Sequence, residues 1–198
     1  MGSTVADSSG NGNTGTTNAT TWTTAGRVGS ALVFNGMTSW VTVPDSGTLD
    51  LQSALTIEAW IYPTVAPAGW ATILAKERAG GLVYYLHAGS YNPSPPATGI
   101  VVPSGEQTLY GVAQLPANAW THLAVTYDGT AQRMFVNGNQ VSMRAQTGLV
   151  TVSTGALRLG GNGQFGEYFQ GRIDEVRIYN RALTVDQIRA DMNAAALP

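Results

Sequence analysis

Apolar and polar residues alternate along parts of this chain with a period of two, the spacing of a β-strand that buries one face. Leu55–Tyr62 has this pattern and is followed by Pro63, which cannot donate to a central ladder and so ends the strand. Leu82–His87 is predicted as a second strand because β-branched and aromatic residues are concentrated there. The pattern therefore predicts a chain made mainly of short strands.

Turn signals join the predicted strands into antiparallel hairpins. Trp120–Tyr127 runs into Asp128-Gly129, and Arg133–Val136 runs into Asn137-Gly138. Both dipeptides favour the positive-φ turns of two-residue hairpins. We therefore expect three successive antiparallel strands around these two turns.

The segment Gly171–Leu183, GRIDEVRIYNRAL, contains a strand with an acid in an unusual position. With a period of two, Asp174 lies on the same face as Val176 and Ile178. A carboxylate on a core face has to be paired, hydrogen-bonded or bound to a cation, because burying it alone costs several kcal/mol or shifts its pKa. Asp174 is therefore predicted either to cap a neighbouring turn or to bind a metal ion.

One helix is predicted, near the end of the chain. Thr184 and Gln187 have the spacing of a capping box. Val185, Ile188 and Met192 then share one helical face. We expect this short helix to pack against the rim of the strands, with Met192 as a packing residue.

The loop Asp7–Asn13 concentrates oxygen atoms between glycines. Asp7 and Asn11 offer a carboxylate and an amide carbonyl, and such oxygen ligands suit a hard cation such as Ca²⁺. The spacing is not that of an EF-hand, and a plain surface turn is the alternative. If the loop and Asp174 bind the same ion, Asp7, Asn11 and Asp174 form one calcium site.

Composition agrees with one all-β domain over residues 1–198. The chain has 198 residues, of which 24 are glycine, 9 are proline and only 11% are charged. These values are typical of short strands joined by many turns, and the length suffices for one hydrophobic core. We expect a monomeric domain taken from a larger protein.

Net charge and cysteine content reduce the number of possible functions. The net charge of -2 gives no electrostatic footprint for nucleic acid or an anionic membrane, and with no cysteine there is neither a disulfide framework nor thiol chemistry. The chain has no run of 18 apolar residues and its start lacks the pattern of a signal peptide. Nucleic acid and membrane insertion are therefore not expected.

The pattern of acids and histidines does not indicate catalysis. Glycosidases place two carboxylates on opposite sides of the scissile bond, but Asp174 and Glu175 are adjacent and point to opposite faces of a strand. Glu58 stands alone between apolar residues. His87 and His122, the two histidines, lie outside any nucleophile-elbow motif. The sequence predicts a domain that is not an enzyme.

A binding surface is better supported. Carbohydrate sites combine flat aromatic rings with a few polar groups that fix the sugar hydroxyls. The region from residue 70 to residue 91 contains both kinds of group, and its candidate ligand-binding residues are Trp70, Arg78, Tyr85, His87 and Tyr91. The alternative is that these rings are part of the core.

Six segments in order along nearly the whole chain resemble a known family. They are Asp7–Gly15, Gly26–Pro44, Leu55–Pro63, Trp120–Val141, Leu157–Asn162 and Gly171–Leu183. The chain resembles the LamG-like jellyroll domains of the concanavalin A-like lectin/glucanase superfamily. The resemblance implies a two-sheet antiparallel jellyroll sandwich, often with one structural calcium ion and often binding glycans, as an accessory module of a secreted or cell-surface protein.

The leading hypothesis is a non-catalytic carbohydrate-binding or adhesion-type module of a larger extracellular or cell-surface protein, stabilised by Ca²⁺. Its expected partners are a glycan or polysaccharide and the neighbouring domains of that protein. One alternative is a structural spacer that binds no ligand. The other is a glycoside hydrolase whose acids converge from distant parts of the sequence.

Overall fold

A computed structural model describes residues 3–195 as a sandwich of two antiparallel sheets with one α-helix. The strands are β1 (Thr4–Val5), β2 (Gly15–Asn18), β3 (Thr21–Thr23), β4 (Ala31–Asn35), β5 (Trp40–Val43), β6 (Leu55–Pro63), β7 (Thr72–Arg78), β8 (Gly81–His87), β9 (Ala97–Val102), β10 (Gly105–Tyr110), β11 (Thr121–Tyr127), β12 (Ala131–Val136), β13 (Asn139–Ala145), β14 (Leu157–Leu159) and β15 (Gln170–Tyr179). A 3-10 helix spans Gly47–Leu49, and helix α1 spans Val185–Asn193. The predicted all-β jellyroll sandwich with a short C-terminal helix is confirmed.

The two sheets enclose the hydrophobic core between their inner faces. The eight-stranded sheet has the order β1-β2-β5-β14-β7-β8-β9-β10, and the seven-stranded sheet has the order β13-β12-β11-β6-β15-β4-β3. On β6, Ile57, Ala59 and Ile61 point into this core, so the residues between them point to the outer face of the seven-stranded sheet. Each sheet therefore has an outer face that is free to carry other chemistry.

The two predicted hairpin turns are confirmed. β11 pairs with β12 and β12 with β13, both antiparallel. Gly129 has φ of 83°, and Asn137 and Gly138 have φ of 50° and 72°. These left-handed conformations are the ones for which glycine and asparagine are the preferred residues.

The face assigned to Asp174 by period two was wrong. Glu175, with φ of 52°, lies at a register shift between β15 and β6, where β15 has one extra residue. An inserted residue moves the following side chains to the other face of the sheet. Asp174 therefore pairs with Trp60 on the outer face, whereas Val176 and Ile178 pack on the core.

Helix α1 begins with the predicted capping box. The Thr184 hydroxyl accepts the backbone N–H of Gln187, and the Gln187 side chain accepts the backbone N–H of Thr184. Ile188 is buried against the outer face of the seven-stranded sheet, and Met192 is half-buried. No helix within residues 3–195 has the length and apolarity needed to cross a membrane.

Near helix α1, the outer face of the seven-stranded sheet carries a buried polar cluster. The side chains of Glu58 and His122 are both 0% exposed, and His122 Nε2 lies 3.9 Å from Glu58 Oε2. Arg177 Nη1 lies 3.7 Å from Glu58 Oε1. Among the described residues, neither the Glu58 oxygens nor the His122 nitrogens have a hydrogen-bond partner. The Tyr179 hydroxyl donates to Asp191 of the helix at 2.8 Å, which links the cluster to α1.

Candidate functional site

The strand order of the eight-stranded sheet brings residues from four strands to one area of its outer face. Tyr85 of β8 pairs with Ala75 of β7 and with Gly99 of β9. Gly99 in turn pairs with Thr108 of β10. Residues in these register positions share a face, so β7 to β10 present one continuous surface.

Five aromatic side chains meet there and form what we call the aromatic surface: Trp70, Tyr85, His87, Tyr91 and Tyr110. Trp70 is at its centre, and its ring centroid lies 5.1 Å from that of Tyr91 and 5.2 Å from that of His87, both edge to face. The rings of Tyr85 and Tyr110 each lie 6.4 Å from Trp70. Edge-to-face packing at these separations is favourable between rings and holds the cluster together.

The aromatic surface has a buried floor and an exposed rim. Tyr85 is 3% exposed and His87 is 1% exposed, so both lie beneath the other rings. Tyr91 is 69% exposed and Tyr110 is 41% exposed, and Trp70 is half-buried between them. Trp70, Tyr91 and Tyr110 are therefore the rings that a ligand can contact.

The floor residue Tyr85 lies flat over the neighbouring strand because that strand has a glycine there. A Cβ atom built on Gly99 would lie 2.4 Å from the Tyr85 ring, which is closer than real contacts allow. The Tyr85 hydroxyl donates to Glu106 Oε1 at 2.7 Å and lies 2.9 Å from the Thr108 hydroxyl. Glu106 and Thr108 are thereby fixed beside the rings as hydrogen-bonding groups.

His87 is a neutral packing residue rather than a general base. Burial lowers the pKa of its imidazole from 6.5 to about 3. Within the described residues, Nδ1 of this ring has no hydrogen-bond partner. A histidine with such a low pKa does not take up protons near neutral pH.

Arg78 is the one predicted ligand-binding residue for which no contact with the aromatic surface is found among residues 3–195. Its Nε donates to the Leu82 carbonyl at 3.1 Å, and its guanidinium group lies over Gly81. The structure thus brings Trp70, Tyr85, His87 and Tyr91 together as a cluster and gives Arg78 a role at the β7–β8 turn.

Sequence reasoning missed the contribution of β10. Glu106, Thr108 and Tyr110 alternate along this strand and reach the aromatic surface together. The period-two pattern of GEQTLY, residues 105–110, contains the signal, since it places these three side chains on one face.

A second ring pair lies on the same outer face. Trp40 and Tyr168 are stacked with centroids 5.8 Å apart, and the Arg158 guanidinium lies 4.7 Å from the Trp40 ring centroid. Arg158 Nε also donates to Glu77 Oε2 at 3.2 Å. Because Arg158 pairs with Ala75 of β7, which pairs with Tyr85, this polar and aromatic patch continues the surface across the sheet.

The predicted calcium ligands have hydrogen-bond partners of their own. The Asp7 carboxylate accepts the backbone N–H groups of Ser9 at 2.9 Å and Asn13 at 2.8 Å. Burial raises the pKa of Asp7, but hydrogen bonds from Ser9, Asn13 and Gly12 outweigh it and the net shift is downward. Asn11 donates to the Ser9 hydroxyl through its backbone and side-chain nitrogens.

Asp174 caps a turn, one of the two roles predicted for it. Its Oδ2 accepts the backbone N–H groups of Arg27 at 2.8 Å and Val28 at 3.0 Å, and its Oδ1 accepts that of Glu175 at 2.9 Å. Three donors satisfy this buried charge, and in the described part of the chain no hydrogen bond joins it to Asp7. Nor is any group of three or more His, Cys, Asp or Glu among residues 3–195 placed to hold a metal ion. Separate sets of backbone donors hold the Asp7 and Asp174 carboxylates, and the calcium site of Asp7, Asn11 and Asp174 stays a prediction.

The fold and the surface define the class: a concanavalin-type sandwich with an aromatic patch on one sheet. Residues 34–189 match the Laminin_G_3 family model, described as the Concanavalin A-like lectin/glucanases superfamily. The chain therefore belongs to this family.

Three known proteins are similar to parts or all of the chain. Domain 4 of AbnA, a GH43 extracellular arabinanase from Geobacillus stearothermophilus solved with arabinotriose, is 23% identical with a TM-score of 0.73, over 90% of this chain and 88% of that one. A structure of botulinum neurotoxin type C is 12% identical with a TM-score of 0.72, over 94% of this chain and 47% of that one. Cell entry of that neurotoxin depends on interaction with two ganglioside molecules. Mouse Pappalysin-1 is 35% identical over an alignment of 83 residues that covers 39% of this chain and 5% of that protein. The two structural likenesses describe the fold.

Proposed function

We propose that this domain is a non-catalytic carbohydrate-binding module and that its ligand lies on the aromatic surface. The observation that carries the proposal is the arrangement of three accessible rings, Trp70, Tyr91 and Tyr110, beside the fixed acceptors Glu106 and Thr108. Flat rings cover the apolar faces of sugars, and the polar groups orient their hydroxyls. The surface is open, so it suits a chain of sugars better than an enclosed small molecule.

The comparisons support the ligand class and the setting. The AbnA domain was solved with arabinotriose and comes from an extracellular enzyme, and the neurotoxin interacts with gangliosides. By analogy, this domain is an extracellular accessory module, attached to neighbouring domains of a larger protein, that holds that protein on a glycan or polysaccharide.

The two other hypotheses make different demands on this surface. A structural spacer that binds no ligand would not require the largely exposed ring of Tyr91, because that ring adds little to packing. A hydrolase would need two acids beside the sugar, and Glu106 and Glu167 are the nearest candidates. Burial raises the pKa of Glu167, the Asn162 amide lowers it, and the negative charge of Glu106 raises it further. These acids keep the hydrolase hypothesis testable, but most of the surface consists of rings.

Retardation of the purified domain in gels that contain soluble arabinans, xylans, glucans or animal glycans tests the proposal. Trp70→Ala and Tyr91→Ala should each weaken binding to a retained polysaccharide by about tenfold or more, because removal of an aromatic anchor typically costs about 2 kcal/mol or more. Met143→Ala is the matched control, since Met143 is exposed on β13 of the other sheet. Tyr85→Ala is unsuitable, because Tyr85 is buried and its loss would destabilise the fold.

Equal retardation of Trp70→Ala, Tyr91→Ala and the parent, with unchanged melting temperatures, would place the binding site elsewhere. Retention of no polysaccharide by the folded parent, across the whole panel, would favour the spacer hypothesis.

A further inference from the structure

A cavity of about 850 Å³ opens between the two sheets, on the inner face of the eight-stranded sheet, whereas the aromatic surface is on the outer face. Its wall on the eight-stranded sheet is apolar and consists of Val41 and Val43 of β5 with Leu157 and Leu159 of β14. These four side chains are at most 9% exposed, whereas Val176–Tyr179 of β15 are half-buried. The part of the opening that an occupant can reach therefore lies along β15.

The shape of the cavity follows one strand edge. Val176, Arg177, Ile178 and Tyr179, four consecutive residues at the end of β15, all line it. Val176 and Ile178 pack on the core, whereas Arg177 pairs with Glu58 on the outer face. Residues that point to opposite faces of a strand can line one cavity only if the cavity lies beside the strand, in the plane of its sheet.

That edge of β15 lacks a neighbouring strand. On one side, Arg177–Tyr179 pairs with β6. On the other side, β4 pairs with Gln170–Ile173 only, because the chain before β4 turns away at the loop that Asp174 caps. Within residues 3–195 no strand pairs with that side of Val176–Tyr179. Unpaired backbone groups along such an edge favour the addition of another strand.

The charges that line the cavity select the chemistry of an occupant. Arg177 is already engaged, since it donates to Glu175 at 2.8 Å and to the carbonyl groups of Asp191 and Ala194 at the end of α1. Asp7 and Asp191 supply carboxylates at the rim. The charge left for an occupant to balance is therefore negative.

We propose that this cavity is a docking site for an extended segment of a partner polypeptide, which adds to the free edge of β15 as a further strand. Alternate residues of the segment are apolar and lie beside the half-buried side chains of Val176 and Ile178. The residues between them are basic or hydroxylic and face the rim. The four free positions span about 13 Å at about 3.3 Å per residue, so four or more residues of the segment are held.

A synthetic peptide, Thr-Val-Lys-Val-Thr-Val-Lys, tests the proposal with the full domain. Hydrogen exchange of the Val176–Tyr179 amides, followed by mass spectrometry or NMR, should slow by about tenfold or more when the peptide is added, because new strand hydrogen bonds protect them. The same peptide N-methylated at its valines has equal apolar content but cannot form a ladder, and it should give no protection.

Two variants separate the cavity from general peptide adsorption. Ile178→Lys places a charge in the cavity and should abolish the protection, whereas Met143→Lys, at an exposed position on the other edge of the sheet, should leave it unchanged. If Ile178→Lys does not fold, the N-methylated peptide still provides the comparison.

Three results would overturn the proposal. Exchange at Val176–Tyr179 that is the same with and without the peptide shows that no strand is added. Equal protection by the N-methylated peptide shows apolar adsorption without strand pairing. A dimer of this chain that already protects these amides shows that a second copy, and not a partner polypeptide, occupies the edge.

Discussion

Replacement of the buried Glu58 by glutamine should reverse the way in which the stability of the domain depends on pH. Burial, followed by the negative charge of Asp191, raises the pKa of Glu58 from 4.5 to about 8, although the Arg177 charge lowers it. Glu58 is therefore mostly protonated at neutral pH in the folded domain. Its raised pKa contributes stability that is fully present below pH 4.5 and is lost as the pH rises through 8.

His122 acts in the opposite direction at lower pH. Burial, followed by the Arg177 charge, lowers its pKa from 6.5 to about 4. Its contribution is present above pH 6.5 and is lost as the pH falls towards 4. Between pH 4.5 and 6.5 the two groups nearly cancel, so the free energy of unfolding of the parent should be almost flat there. From pH 6.5 to 9 it should fall by about 2 kcal/mol, at 1.36 kcal/mol per pKa unit, because only Glu58 titrates.

Urea unfolding of the parent and of Glu58→Gln between pH 4.5 and 9 measures these slopes. The variant should be flat above pH 6.5 and should lose about 2 kcal/mol between pH 6.5 and 4.5, because His122 is no longer opposed. Asp186→Asn, which removes a carboxylate that is 90% exposed on α1, is the control and should follow the parent. A parent whose stability does not fall above pH 6.5, or a variant with the same fall, would refute the assignment of the raised pKa to Glu58.

Three further predictions concern packing, metal binding and catalysis. Trp60→Ala should lower the free energy of unfolding by about 3 kcal/mol or more, because it removes a buried ring. The Arg27 guanidinium lies 4.4 Å from the centroid of this ring, and the indole N–H donates to the Met192 carbonyl. An unchanged urea midpoint would contradict this prediction. Ca²⁺ at a hundredfold excess over its Kd should stabilise the domain by about 3 kcal/mol if it binds at the Asp7 loop, an effect that Asp7→Asn should remove, and equal melting in EDTA and calcium would exclude such a site. Reducing-end assays on a polysaccharide panel should show no hydrolysis, and release of sugar that Glu106→Gln abolishes would establish an enzyme.

The features that could be predicted from the sequence depend on contacts within a few residues. The turn at Asn137-Gly138 and the capping box of Thr184 and Gln187 are local, because the residue types themselves favour the observed geometry. The cluster of Trp70 with Tyr85 and His87 could also be predicted from the sequence, since strand alternation puts Tyr85 and His87 on one face.

The features that were missed depend on pairing between distant parts of the chain. The extra residue at Glu175 adopts a left-handed conformation that no residue type in GRIDEVRIY signals, and it changes the face of Asp174. Tyr110 reaches Trp70 only because β10 pairs with β9 at the edge of the sheet. Arg78 is the last residue of β7, beside the strand that carries Tyr85 and His87, but its side chain turns back over the β7–β8 turn.

The glycine at position 99 sets the depth of the aromatic surface, because the Tyr85 ring lies directly over it. Any side chain there would push the Tyr85 ring outward, and with it the hydroxyl that fixes Glu106 and Thr108. The contour of the proposed sugar-binding surface is thus set by the absence of a side chain at position 99 of β9. Substitutions at Gly99 would change this contour from the buried side, while leaving the accessible side chains of Trp70 and Tyr91 unaltered.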